Sequence, residues 1–226
     1  MKSLQEYINE SEFKTDLSTN KVQPKNKDEL MYIITSAFKI KQYDLNYIDT
    51  SKITDMSELF ANINHNFDVS KWDVSNVTNM SSMFYYCKNF DCDLSNWDVS
   101  NVKDMSYMFT YCFKFNCDLS TWDVSNVKNM RHTFNGCNIF IGKGLENWDV
   151  SNVTNMTCMF NVCTNFNCDL SNWDVSNVTN MYALFRKCNK FTGKGLENWD
   201  VSKVTDYREM LYGCDNATIP SWYGKL

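Results

Sequence analysis

A chain of 226 residues with 43% hydrophobic content is long enough to bury one continuous core. It contains no run of about 18 apolar residues, so no helix is expected to insert into a membrane. Against 22 basic residues stand 27 acidic ones, a formal charge of −5, and the lysines scatter without forming the basic stripe of a nucleic-acid binder.

Residues 1–46 lie outside the periodic part of the chain and are expected to form an N-terminal helical cap. Leu4-Gln5-Glu6-Tyr7-Ile8 begins one predicted helix. Lys27-Asp28-Glu29-Leu30 begins a second, whose apolar face would continue through Ala37, Phe38 and Ile40, with Asn26 at its start and Pro24 just upstream. Stacked repeats need cover over their first exposed copy, and this second helix is the natural candidate. The start shows no apolar signal segment, so the expected location is cytoplasmic or within a virion, and the expected compartment is reducing.

From residue 47 to residue 214 one unit recurs. Trp-Asp-Val stands at Trp72, Trp97, Trp122, Trp148, Trp173 and Trp199, spaced by 25, 25, 26, 25 and 26 residues. Met80, Met105, Met130, Met156 and Met181 hold a second column, and Phe84, Phe109, Phe134, Phe160 and Phe185 a third. A degenerate copy precedes Trp72, giving about seven coils. A period in this range marks a unit that must stack on copies of itself to bury its apolar face. Within residues 80–87, Met80, Met83, Phe84 and Cys87 fall at i, i+3, i+4 and i+7, the pattern of a short helix capped by Thr78 or Asn79. Trp97, Asp98 and Val99 alternate as in a strand with one buried face. The expected fold is therefore an α/β repeat, a leucine-rich-repeat-like solenoid with one short strand and one short helix per coil. Gly142-Lys-Gly144 and Gly193-Lys-Gly195 lengthen two copies by one residue and read as bulges. Residues 215–226 break the pattern and are expected to form a C-terminal cap.

The unit Trp-Asp-Val-Ser-Asn-Val-Thr-Asn-Met-x-x-Met-Phe resembles the BspA-like leucine-rich repeat, also described as the mycoplasma-type lipoprotein repeat, from about Ile48 to Cys214. That resemblance implies a right-handed solenoid and, for some relatives, adhesion or protein binding. It implies no catalytic residues. The absence of a lipid-attachment cysteine at the start departs from the surface-protein members.

Six of the ten cysteines, Cys87, Cys112, Cys137, Cys163, Cys188 and Cys214, form a column of their own. Buried free thiols packing as small hydrophobes are the expected state, with disulfides and zinc as the alternatives. A further column, Asp73, Asp98, Asp123, Asp149, Asp174 and Asp200, should point outward between inward Trp and Val. It could be an acidic stripe for a basic partner or for calcium, but side chains that accept hydrogen bonds in the following Ser-Asn turn are the favoured reading. Tyr85, Tyr86, Tyr107, Tyr111, Phe113, Arg131, His132, Tyr182 and Arg186 vary between copies, as residues that read a partner would. The candidate partner surface thus comprises the six aspartates with Tyr86, Tyr107, Tyr111 and Tyr182.

The residue inventory argues against an enzyme, with two histidines in different columns and no phosphate loop or nucleophile elbow. No catalytic, cofactor-binding or metal-binding residues are expected. The expected function is an extended surface for a protein or glycan partner, with no nucleic-acid partner and no membrane insertion. The alternative is a structural or decoration component of a virus particle, part of a larger assembly. The opening residues 4–11 faintly resemble the starts of tailed-phage virion proteins, and Ile8-Asn9-Glu10 is similar to the cleavage sites of some phage prohead proteases, which raises processing after Glu10.

Overall fold

The computed structural model describes residues 15–16 and 21–224; the first predicted helix and Glu10 lie outside them. Two short antiparallel strands, β1 (Thr15–Asp16) and β2 (Lys21–Val22), precede a helix, α1 (Lys27–Lys39). The Asn26 side chain accepts a hydrogen bond from the Glu29 backbone N–H at 3.0 Å, which satisfies one of the donors left open at a helix start. Leu30, Ile33, Ile34 and Ala37 form the buried stripe of α1. The helix packs on the first repeat copy: Phe38 lies 6.4 Å from Phe60 and 5.8 Å from Phe67, while the Lys27 ammonium donates to the Ser57 hydroxyl at 2.6 Å. Among the described residues no helix is long and apolar enough to cross a membrane.

Successive repeat copies stack in parallel. Single-residue bridges join Asp55 to Asn79, Asn79 to Asp104, Asp104 to Asn129 and so on to Asp206. The N–H groups of Met80, Ser82, Phe84 and Tyr86 donate to the carbonyls of Asp104, Ser106, Met108 and Thr110 in the next copy, at 2.7 to 2.9 Å. The intervening N–H groups of Met83, Tyr85 and Cys87 turn back to the carbonyls of Met80, Ser82 and Phe84. Every second amide therefore points forward along the stack, and the carbonyls that receive it all point backward. The same arrangement recurs at each junction, ending where Met181, Ala183, Phe185 and Lys187 meet Asp206, Arg208, Met210 and Tyr212.

This ladder replaces the helix expected in each copy. Residues 81–86 are turns, and Ser82 and Tyr86 have φ of 56° and 61°, outside any right-handed helix. The turns 80–83 and 84–87 each place positive φ at their third residue, as type II turns require. Met80, Met83, Phe84 and Cys87 are all fully buried, so a succession of turns yields the same inward spacing as a helix. An isolated eight-residue helix is marginal because nucleation is costly, and the amides that would close it are worth more when bonded to the neighbouring copy. Asn79 still caps, but it caps a turn, its side chain accepting from the Ser81 N–H at 3.0 Å.

The strand expected at Trp97-Asp98-Val99 is likewise absent: the bridges run through the Asn79 column instead. Burial there alternates as expected, with Trp97 and Val99 inside and Asp98 exposed. The two Gly-containing insertions are not bulges either. Each is absorbed by a 3₁₀ turn, Leu145–Asn147 and Leu196–Asn198, entered from Gly144 and Gly195 at φ of 93° and 97°. A Cβ at Gly144 would overlap the backbone of Ser120, and one at Gly195 that of Ser171.

Side chains reinforce the stack from within. Each Trp indole N–H reaches back to a carbonyl of the preceding copy, Trp97 to Val69 at 3.1 Å and Trp122 to Leu94 at 3.0 Å. The cysteine thiols do the same, Cys112 donating to Phe84 and Cys137 to Phe109, each at 3.0 Å. Asparagine amides bridge copies on the outside, Asn101 to the Ser75 carbonyl and Asn126 to that of Ser100, each at 2.8 Å. Phe84, Phe109, Phe134, Phe160 and Phe185 stack nearly parallel, with centroids 5.4 to 5.7 Å apart.

An interior Trp thus combines a buried ring with an inter-copy bond, whereas Trp222 is only partly buried and bonds the Leu196 carbonyl at 2.8 Å. Trp122→Ala should destabilise by about 3–5 kcal/mol, and Trp222→Ala by clearly less. Equal shifts in urea midpoint for the two variants would contradict this placement.

Candidate functional site

The turns that build the ladder also display its most varied side chains. Positive-φ positions carry Ser82 and Tyr86, then Tyr107 and Tyr111, then His132 and Gly136, then Cys158 and Val162, then Ala183 and Lys187. For a residue other than glycine this conformation costs about 1–2 kcal/mol. A β-branched side chain such as Val162 is an outlier there. Beside these residues on the same turns stand Tyr85, Arg131, Tyr182, Arg186, Arg208 and Tyr212.

These side chains interlock from copy to copy. The Tyr107 ring stacks on the His132 imidazole at 4.6 Å, and the Arg131 guanidinium lies 5.1 Å from the Tyr107 centroid. Arg186 sits 5.6 Å from the centre of Tyr212, and Arg208 sits 5.8 Å from that of Tyr182. Lys88 lies 4.5 Å over Tyr86, which meets Tyr111 edge to face at 5.5 Å. Arg186 is paired with Glu209 at 2.8 Å, and Arg208 grips Asp206 through two nitrogens at 2.9 and 3.0 Å. Among the described residues Arg131 forms no ion pair, and its side chain is exposed. The chain has three arginines, and all three are here. At the far end Val162, Lys187, Tyr212 and Asp215 help line an open depression of about 490 Å³.

Of the sequence-predicted site residues, Tyr86, Tyr107, Tyr111 and Tyr182 all fall on this face, joined by Arg208, which sequence reasoning missed. The scarcity of arginine, with one in each of three copies, was the signal that could have found it. The six aspartates belong to a different column. Each is exposed, and Asp73, Asp98, Asp123, Asp149, Asp174 and Asp200 each accept a hydrogen bond from the backbone N–H of the serine two residues on, at 2.9 to 3.0 Å. The Ser100 hydroxyl and N–H hold Asp98 below the usual carboxylate range, and the Ser202 N–H and hydroxyl do the same for Asp200. Among the described residues no group of three or more His, Cys, Asp and Glu is arranged to hold a metal ion.

The ten cysteines are free, and only Cys117 is not buried. Burial pushes the Cys87 thiol up to about 12 and raises Cys112, Cys137 and Cys188 well above the ordinary thiol range. His132 moves the other way: burial, aided by the Arg131 charge, pushes its imidazole down to about 4. At neutral pH the ring on Tyr107 is therefore uncharged.

A parallel stack of closely similar copies defines a repeat protein. The chain belongs to the family described as Mycoplasma protein of unknown function, DUF285, whose model matches residues 28–143 and again residues 128–222. No curated protein and no solved structure matches the chain.

Two solution properties follow from these environments. In the native state the six column thiols should react slowly with a thiol reagent at pH 8, and all ten should react once the protein is unfolded without reductant; fewer than ten would contradict the packing described. An unfolded imidazole titrates near 6.5, so between about pH 6.5 and 4 the unfolded chain binds the proton that folded His132 refuses. Stability should accordingly fall as pH drops through that window, with His65, also lowered by burial, adding to the decline. His132→Gln should flatten the decline in urea midpoint between pH 7 and 4.5, and an unchanged slope would show that His132 titrates freely in the fold.

Proposed function

We propose that this protein is a non-enzymatic binding module, a right-handed leucine-rich-repeat-like solenoid of about seven copies that engages a protein partner through its arginine–tyrosine face. The placement of all three arginines over tyrosines on one face carries this reading. Tyrosine and arginine dominate the energetics of protein interfaces, because each offers a large rigid surface together with directional donors. The guanidiniums already occupy faces of Tyr107, Tyr182 and Tyr212, which favours a protein over a glycan that would need open rings for stacking. Bonds between copies pre-organise the face, so little side-chain freedom is left to lose on binding.

Site-specific photocrosslinking in an extract of the source cells tests this. Tyr111→p-benzoylphenylalanine should give a discrete protein adduct that disappears when Tyr107→Ala and Arg131→Ala are added. The same photoreactive group at Lys71, outside this face, should give none. Adducts of equal yield at both positions, or adducts indifferent to the double substitution, would refute the assignment of this face.

A further inference from the structure

All three arginines of an acidic molecule stand on the arginine–tyrosine face. The whole chain carries −5, yet in the copies from Tyr86 to Tyr212 Lys88, Arg131, Arg186, Lys187 and Arg208 stand against Asp104, Asp206, Glu209 and Asp215. Glu209 and Asp206 engage Arg186 and Arg208 only in part. Asp206 takes Nε and one terminal nitrogen of Arg208, and Glu209 lies 2.8 Å from the Arg186 Nε as an ion pair without an aligned hydrogen bond, so fork donors remain on both. Arg131 keeps all of its donors, among the described residues, apart from any bond to water.

The ladder also fixes where these charges stand. Arg131 and Arg208 hold the same turn position three copies apart, and Arg186 stands on the copy between Cys158 and Arg208. At the ~4.8 Å spacing of hydrogen-bonded neighbours, Arg131 and Arg186 lie about 10 Å apart along the stack and Arg131 and Arg208 about 14 Å. An extended peptide advances about 3.4 Å per residue. Carboxylates at positions i and i+4 of such a peptide share one face and would therefore meet Arg131 and Arg208, while Arg186 stands four residues farther round its own coil, beside that line.

We propose, resting on the protein-binding reading above, that the face binds an extended acidic peptide segment of its partner lying along the stack, with carboxylates on Arg131 and Arg208. A planar guanidinium matches a carboxylate through two parallel hydrogen bonds, which a lysine cannot reproduce. Single-stranded nucleic acid, the other anionic polymer with a claim on a basic aromatic surface, binds by stacking bases on open rings. Here the rings of Tyr107, Tyr182 and Tyr212 already carry guanidiniums, so the acidic peptide is the better match.

Fluorescence anisotropy of the full chain with a labelled Gly/Ser decapeptide carrying Glu at positions 3 and 7 tests the proposal. The controls are the same peptide with Gln at those positions and a ten-residue oligothymidine. The Glu peptide should bind saturably, and R131Q should weaken it about tenfold, with partial recovery in R131K. K52Q, which removes the same charge at an exposed site on another turn, should leave binding unchanged. Absent binding of the Glu peptide, equal binding of the Gln peptide, tighter binding of oligothymidine, or equal losses in R131Q and K52Q would each overturn the inference. If Tyr111 crosslinks a protein while the Glu peptide does not bind, the acidic-peptide inference fails and the protein-binding reading stands.

Discussion

Every recurring residue in this chain answers to one constraint: alternate backbone amides must reach carbonyls of the next copy. Four such bonds form at each junction between turns. At about 1 kcal/mol net apiece they contribute roughly 4 kcal/mol per junction. Two positive-φ residues in each copy cost about 1–2 kcal/mol each, so the backbone terms nearly cancel. The decision falls to the buried side chains. Met80, Met83, Phe84 and Cys87 are sealed from water in their copy, as are Met105, Met108, Phe109 and Cys112 in the next. Burial of one such side chain is worth about 1.5–3 kcal/mol, which is enough to hold the backbone in a conformation it would not adopt alone.

The ladder has a direction. At each junction four N–H groups point forward and one, such as Thr78 to the Thr54 carbonyl, points back, so peptide dipoles add in net along the stack instead of alternating as in a sheet. The carbonyl end is the first copy, and there α1 brings Lys27, whose ammonium reaches Ser57 and lies 3.7 Å from Asp55. A cation at the negative end of aligned dipoles is favourable for the reason that it is favourable at a helix C-terminus. The same geometry shapes the candidate site. Tyr107, Tyr111 and His132 are themselves positive-φ residues, so the side chains on display are anchored to the amides that hold the copies together.

How much of this was legible in the sequence depends on whether a pattern admits one backbone or several. Column register and burial were legible, because a residue that stacks on its own copies must recur and must be apolar; Trp97 and Phe109 needed no structure. The local conformation was not. Met80, Met83, Phe84 and Cys87 satisfy the helical spacing and also satisfy consecutive turns, and only the destination of the amides distinguishes them. That destination is a long-range property, which intrinsic propensity does not carry. The Gly insertions were misread for a related reason: one extra residue can bulge a strand or close a 3₁₀ turn, and without a strand at the Trp column only the second outcome was available. The site was half legible. Variation between copies pointed to Tyr107, Arg131 and Tyr182, but pairing each arginine with a tyrosine of a neighbouring copy required the stack itself.

Among the columns of turn-forming acidic or amide residues that run along the molecule, the difference between two bears on the charge distribution. The ladder column reads Asp55, Asn79, Asp104, Asn129, Asn155, Asn180 and Asp206, and in each case the side-chain oxygen accepts from the N–H two residues later. Asn and Asp interchange there, because the turn needs an acceptor and not a charge. The column beside Trp makes the same bond, yet it is Asp at every copy from Asp49 to Asp200. Hydrogen bonding alone does not explain that uniformity, since asparagine would serve equally. A line of exposed carboxylates does have an effect that amides would lack: it repels a second such line and keeps a long regular surface from pairing with its own copies. The acidic column then disfavours association along its side of the molecule, which leaves the face carrying the three arginines as the one where the proposed partner would dock.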